Sequence, residues 1–282
     1  MSRRDNYSRI RSDDGGYTWK DITTNVPNPG TVQYDSITQS INNSKFAYLS
    51  SNGSVINTTD GGDTWSESAR FGYSPWYYDY YLTVNPANDR TVYLLDPSYY
   101  SADAGKTWLS WPTISDAEIN SIAVQPGKPD HLAFAGKGLY WSSDGGSTIK
   151  LRGFGPDFTV FAIAFDPSMP TRLYAIASTG DQVALYRSDD EAESWAELTS
   201  LQSYIDQYSE FQGSLIVDPR SSDTLYLSWN DIYRSTDGGK TWLPFSSGMG
   251  GSEDITQMVA TSTNPLILYA SGNSGVWKIT LP

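Results

Sequence analysis

Ser235-Thr236-Asp237-Gly238-Gly239-Lys240-Thr241-Trp242 decides the fold, because the chain writes this sentence six times. The other copies begin at Ser12, Thr58, Ser101, Ser142 and Ser188, and centre on Asp14, Asp60, Asp103, Asp144 and Asp190. The six carboxylates lie 46, 43, 41, 46 and 47 residues apart. A period in that range predicts a repeat architecture.

Outward from Asp237 the unit resolves into four runs. Phe211 to Pro219 is an apolar run stopped by proline, and Thr224 to Trp229 is a second run. Asp231 to Ser235 enters the motif and Thr241 to Phe245 leaves it. Short β-rich runs bounded by Gly, Pro, Asn and Asp read as strands, named A to D here. Strand A recurs as Tyr81–Pro86, Ile122–Pro126, Ala162–Pro167 and Ile255–Ala260. Strand B recurs as Phe46–Leu49, Val92–Leu95, Leu132–Ala135, Leu173–Ile176 and Ile267–Ala270. No segment of useful length has a helical period. Four antiparallel strands repeated radially predict an all-β protein, a six-bladed β-propeller.

Six A, six B and six D strands are countable, and the last blade lacks its D strand after Gly275–Thr280. Pairing of the N-terminal D strand, near Tyr17–Thr23, with the C-terminal strands is expected to close the ring as a single domain over 1–282. The interval from Asp237 round to Asp14 is 59 residues, and both Tyr7–Ser12 and Val276–Thr280 read as C strands. One of them is surplus, or the chain was cut from a longer protein; a seven-bladed ring is the alternative.

Bulk composition bounds the function. Ten Trp and twenty Tyr in 282 residues supply the apolar area for a core. A net charge of −13 argues against nucleic acid or an anionic membrane as partner. No apolar run is long enough to span a membrane, and the start carries no signal-peptide pattern. With no Cys and one His, no zinc or thiol site and no cofactor is expected.

Each part of the repeated motif has a mechanical reading. The glycines allow the positive φ of a tight C–D turn. The Asp accepts backbone N–H groups of its own turn, the hydroxyls satisfy others, and the Trp packs between blades. A calcium loop needs about six to eight oxygen ligands, and most copies offer one carboxylate. Two copies are degenerate, with Ile149 for Trp, and Glu191 and Ala192 for the glycines.

Ser-x-Asp-x-Gly-x-Thr-Trp between strands C and D resembles the Asp box of BNR-repeat propellers. These include sialidases, two-propeller xyloglucan-active glucanases, sortilin-type receptors and the photosystem II assembly factor of the Ycf48 type. Asn85-Pro86-Ala87-Asn88-Asp89-Arg90-Thr91-Val92-Tyr93 looks most like the sortilin-like and xyloglucanase-like group. The resemblance implies that the boxes lie on the face away from the ligand, and that the protein is secreted or at the cell surface. It does not extend to the sialidase arginine triad, because only Arg70 and Arg152 sit at D-strand ends.

Candidates for ligand contact therefore come from the opposite connections. Trp76, Tyr77 and Tyr78 lie in one aromatic-rich D–A segment, and Tyr204 and Tyr208 in another. Trp111 and Trp229 stand in neighbouring connections, with Tyr99, Tyr100, Asp116, Glu118, Asp157, Asp181 and Asp231. Aromatic faces beside carboxylates suit sugar rings, and also a protein interface; packing between blades is the structural alternative. Asp79 and Glu210 are the candidate catalytic carboxylates, since glycosidases pair two carboxyl groups. His131 and the Arg11, Arg187 and Arg234 series read as structural. The expected function is a non-catalytic binding propeller for a polysaccharide or a protein. The alternatives are a glycoside hydrolase, or half of one, and a receptor or assembly scaffold.

Overall fold

The computed structural model describes residues 10–27, 36–40, 42–51, 53–71, 82–95, 98–112, 114, 117–204, 213–229, 231–245, 255–261, 265–272 and 275–281. The chain forms two compact units, Met1–Thr113 and Ile114–Pro282. Apart from a 3-10 turn at Thr23–Asn25, the regular structure described is strand.

In the first unit a hairpin pairs β1 (Ile10–Arg11) with β2 (Lys20–Asp21). Blade one follows as β3 (Ser36–Gln39), β4 (Ala47–Ser51), β5 (Ser54–Thr58) and β6 (Ser66–Arg70). Blade two is β7 (Leu82–Val84), β8 (Val92–Leu94), β9 (Tyr99–Ser101) and β10 (Leu109–Ser110). In the second unit, blade three is β11 (Ser121–Val124), β12 (Leu132–Gly136), β13 (Gly138–Ser142) and β14 (Lys150–Leu151). Blade four is β15 (Thr159–Phe165), β16 (Leu173–Thr179), β17 (Gln182–Ser188) and β18 (Ala196–Ser200). Blade five is β19 (Leu215–Val217), β20 (Leu225–Ser228), β21 (Ile232–Ser235) and β22 (Leu243–Pro244). Among the described residues blade six has three strands, β23 (Ile255–Ala260), β24 (Leu266–Gly272) and β25 (Gly275–Leu281).

Every sheet runs in chain order with antiparallel neighbours, as expected for a six-bladed propeller. Both C strands that the sequence offered, β1 and β25, are formed. β2 lies beside β1, held there by the first Asp box; the expected pairing of the two chain ends is not among the described ladders.

Burial follows position in the blade. All five residues of the B strand β12 are buried, whereas D strands such as β10 and β22 are exposed edges. Period-2 alternation sends successive side chains to opposite faces, and both faces of this inner strand are covered. Leu139, Ala133 and Ala175 join blades three and four, while Leu185, Leu225 and Trp242 join blades four and five. Tyr226, Ile232 and Leu268 join blades five and six, and Tyr48, Val55 and Leu94 join blades one and two. Fully burying one such Leu or Val side chain contributes about 1.5–3 kcal/mol.

Candidate functional site

The boxes are built alike. In the sixth, the buried Ser235 hydroxyl donates to Asp237 Oδ1 (2.8 Å) and accepts the Gly239 N–H (2.9 Å). Asp237 Oδ1 also accepts the Thr241 N–H (2.9 Å), and Oδ2 accepts the Thr241 hydroxyl (2.7 Å). The same set recurs around Asp14 and around Asp190. Ala104 (φ 65°), Glu191 (φ 59°) and Ala192 (φ 69°) adopt the left-handed conformation that glycine takes in the other copies. The degenerate boxes thus keep the turn despite its steric cost. At Glu191 the strain is offset by Gln125 Nε2 and Lys128 Nζ, which reach its carboxylate at 2.9 and 2.7 Å.

These bonds spend the carboxylates on structure. Asp14, Asp103, Asp190 and Asp237 are lowered to about 2, and Asp60 and Asp144 are lowered as well. The hydroxyl four residues on is the larger cause for Asp14, Asp60 and Asp190. For Asp103, Asp144 and Asp237 it is the backbone N–H of that residue. A carboxylate depressed in the folded state stabilises above its unfolded pKa, and that contribution is lost as pH falls through the folded pKa. The melting temperature should therefore hold from pH 7 to 5 and fall steeply between about pH 4 and 2. Circular dichroism melts across that range test this, and a melting temperature unchanged down to pH 2 would contradict it.

A second polar module lies in the A–B turns. Asn85, Gln125, Asp166 and Asp218 are buried, each just before a proline. Asp218 accepts the Arg220 N–H (2.9 Å), Arg220 Nη2 (3.0 Å) and the Tyr226 hydroxyl (3.1 Å). Burial by itself would raise this carboxyl, but the Arg220 hydrogen bonds outweigh it and the net shift is downward. Asn85 serves blade two in the same way, accepting the Ala87 N–H and donating to the Tyr93 hydroxyl, both at 2.9 Å. The sequence reading took these residues as strand ends, and Asn85 also as part of the stretch that carries the resemblance. The recurring polar-proline pair was the available signal.

The two modules fix the faces. The residue after the box Asp donates its N–H to the A–B turn of its own blade: Gly61 to Lys45 O, Gly145 to Asp130 O and Gly238 to Asp223 O. Boxes and A–B turns share one end of the blade, so B–C and D–A connections occupy the other. His131 sits in an A–B turn with its ring edge-on to Trp141, a structural placement. Arg11 bridges Asp13 and Asp63, Arg187 pairs with Asp189, and Arg234 lies over Tyr226 and Phe245. The three arginines share a C-strand position; Arg11 and Arg187 also share a partner, the Asp two residues on, where Arg234 has aromatic rings instead.

At the far end, tertiary packing corrects two of the ligand candidates. Trp111 is 6% exposed and meets Tyr93 and Tyr100 at 5.5 and 6.1 Å. Trp229 is 7% exposed and belongs to the core shared by blades four and five. Neither indole presents a face on which a sugar ring can stack. Trp76, Tyr77, Tyr78, Tyr208, Asp79, Asp116 and Glu210 lie outside the described residues. In blade three Glu118 pairs with Lys137 across the D–A and B–C connections. Asp157 and Asp181 are exposed, and Gln202 straps the Asp181 turn by donating to Asp181 O (2.7 Å) and accepting the Val183 N–H (3.1 Å).

Tyr204 follows this strap and is half-buried, edge-on to Tyr233 of blade five with ring centroids 5.2 Å apart. Sequence reasoning missed Tyr233, because inside an alternating strand it reads as packing. Burial first, then the nearby Asp231 charge and Tyr204, raise the pKa of the Tyr233 phenol. Asp231 opens the same strand, with Oδ1 accepting the Ile232 N–H at 2.7 Å.

The BNR/Asp-box repeat family matches residues 233–242, from within β21 through the sixth box. The chain is a β-propeller that carries the Asp-box motif. This propeller is 28% identical over 271 residues to xyloglucanase Xgh74A of Acetivibrio thermocellus, covering 83% of this chain and 28% of that protein. It spans only 22% and 28% of the length of the curated relatives that it matches. The GH74 xyloglucanase structure from Xanthomonas campestris superposes with a TM-score of 0.68 at 17% identity, covering 87% of this chain and 44% of that one. The structure of YCF48 bound to a D1 peptide gives 0.69 at 18% identity, covering 98% and 87%. At such identities these two likenesses speak for the fold.

Proposed function

We propose that this propeller is a non-catalytic binding module, a single domain over 1–282. It holds a neutral polysaccharide of the xyloglucan type on the face opposite the Asp boxes. The observation that carries this reading is the 28% identity, over 83% of the chain, to a protein named a xyloglucanase of which the chain covers only 28%. A net charge of −13 favours a neutral glycan over uronates or sulfated chains. The displaced carboxyls among the described residues, such as Asp60, Asp189, Glu191 and Asp218, are displaced downward. None of these is the raised carboxyl that a glycosidase acid requires, and the candidates Asp79 and Glu210 lie outside the described residues.

The second reading is one half of a two-propeller glycosidase, favoured by the same partial coverage, with Asp79 and Glu210 as its carboxyl candidates. A native gel cast with xyloglucan, run beside an assay of reducing ends, tests both. Retarded migration without release of reducing ends is expected. Release that Asp79→Asn or Glu210→Gln abolishes would establish the hydrolase instead. Unretarded migration would remove the glycan and leave a protein partner.

A further inference from the structure

Two tyrosines and a carboxylate lie at the far end of blades four and five, with both rings packed against the core there. The rings of Tyr204 and Tyr233 meet edge to face, and Asp231 opens the strand that carries Tyr233. Neither phenol hydroxyl has a hydrogen-bond partner among the described residues, and one Asp231 oxygen serves its own turn. Other tyrosines do spend their hydroxyls on protein. Tyr140 donates to Lys137 O (3.0 Å), Tyr174 to Ser222 O (3.3 Å) and Tyr226 to Asp218 (3.1 Å). Packing alone would be served by phenylalanine, which has the same ring without the hydroxyl.

We infer that Tyr204, Tyr233 and Asp231 form a subsite for one neutral sugar residue. This rests on the glycan-binding reading above. A pyranose presents vicinal hydroxyls that both donate and accept. The free Asp231 oxygen accepts from one hydroxyl, the phenols donate to others, and the exposed parts of the half-buried rings give apolar contact to sugar C–H groups. The Asp231 charge, on a chain of net charge −13, turns away uronic or sulfated residues. Gln202 and the core beneath fix the Tyr204 turn, so the subsite is formed before the ligand arrives, which limits the ordering cost of binding.

The test is isothermal titration of the intact chain with xyloglucan oligosaccharides. Tyr204→Phe and Tyr233→Phe keep the rings, and Asp231→Asn keeps the acceptor of the Ile232 N–H. Each is expected to weaken binding about 3- to 10-fold, the worth of one hydrogen bond, at an unchanged melting temperature. The double tyrosine variant should lose more than about 10-fold. Wild-type affinity in all three single variants would overturn the subsite while leaving the glycan reading intact. Absence of wild-type binding would overturn both. Equal affinity of the wild type for carboxymethyl cellulose would overturn the preference for a neutral ligand.

Discussion

Replacing Gly153 with alanine is expected to destabilise the protein by about 3 kcal/mol, through two separable causes. Gly153 has φ +79°, in the left-handed region where a Cβ costs about 1–2 kcal/mol. It also lies where the chain leaving β14 passes the fifth box. A Cβ there would stand 2.3 Å from Trp195 Nε1 and 2.6 Å from the carbonyl of Ala192. The carbonyl is backbone in a turn fixed by Ser188 and Asp190, and the indole is stacked on Phe154 at 4.7 Å. Neither can swing aside, so overpacking adds about 1–3 kcal/mol. Gly127→Ala separates the causes, because Gly127 has φ +76° and no atom within 4 Å of its Cβ position. Its cost should be about 1 kcal/mol. Urea unfolding followed by tryptophan fluorescence measures both. Equal losses in the two variants would refute the steric half of the argument.

Asp218→Ala should cost about as much for a different reason. Asp218 is 2% exposed, and its side chain holds the Arg220 N–H, the Arg220 guanidinium and the Tyr226 hydroxyl. Alanine leaves the Tyr226 hydroxyl, buried between blades five and six, without this acceptor, and breaks a partly buried ion pair. Breaking a buried pair typically costs about 3–5 kcal/mol. The Arg220 side chain is 33% exposed and recovers water, so the low end, about 3 kcal/mol, is expected. Asp218→Asn retains an acceptor for the Arg220 N–H and a donor toward Tyr226, the arrangement that Asn85 and Tyr93 already show. It should lose only about 1 kcal/mol. Thermal and urea unfolding of the two variants side by side decide it. An Asn variant as damaged as the Ala variant would mean that charge, not hydrogen bonding, matters at this turn.

The two predictions mark where local reading stopped. The eight-residue box closes on itself, with hydrogen bonds spanning two to four residues, so its turn was legible without any knowledge of neighbours. The blade count and the division of faces followed from it. Gly153 carried no such signal, since its requirement comes from a tryptophan 42 residues further on. Trp111 and Trp229 were legible as large aromatics in connections, but not as buried ones. A loop indole that caps a sheet and one that meets a ligand have the same sequence neighbourhood. Tyr233 shows the converse, an alternating-strand residue whose half-buried ring meets Tyr204 of the neighbouring blade.

By itself, the sequence determined what short-range chemistry controls. It set the repeat, the four strands of each full blade, the Asp boxes and the placing of B–C and D–A connections opposite them. It also set the strong negative charge that limits the ligand. The tertiary structure decided what depends on the approach of segments distant in the chain. It buried the two tryptophans, tied the A–B turns into a second polar module, and paired β2 with β1. It also brought Tyr204 against Tyr233 beside Asp231. Hydrogen bonds within a turn are encoded where they form, whereas burial and convergence are properties of neighbouring blades that no single repeat contains.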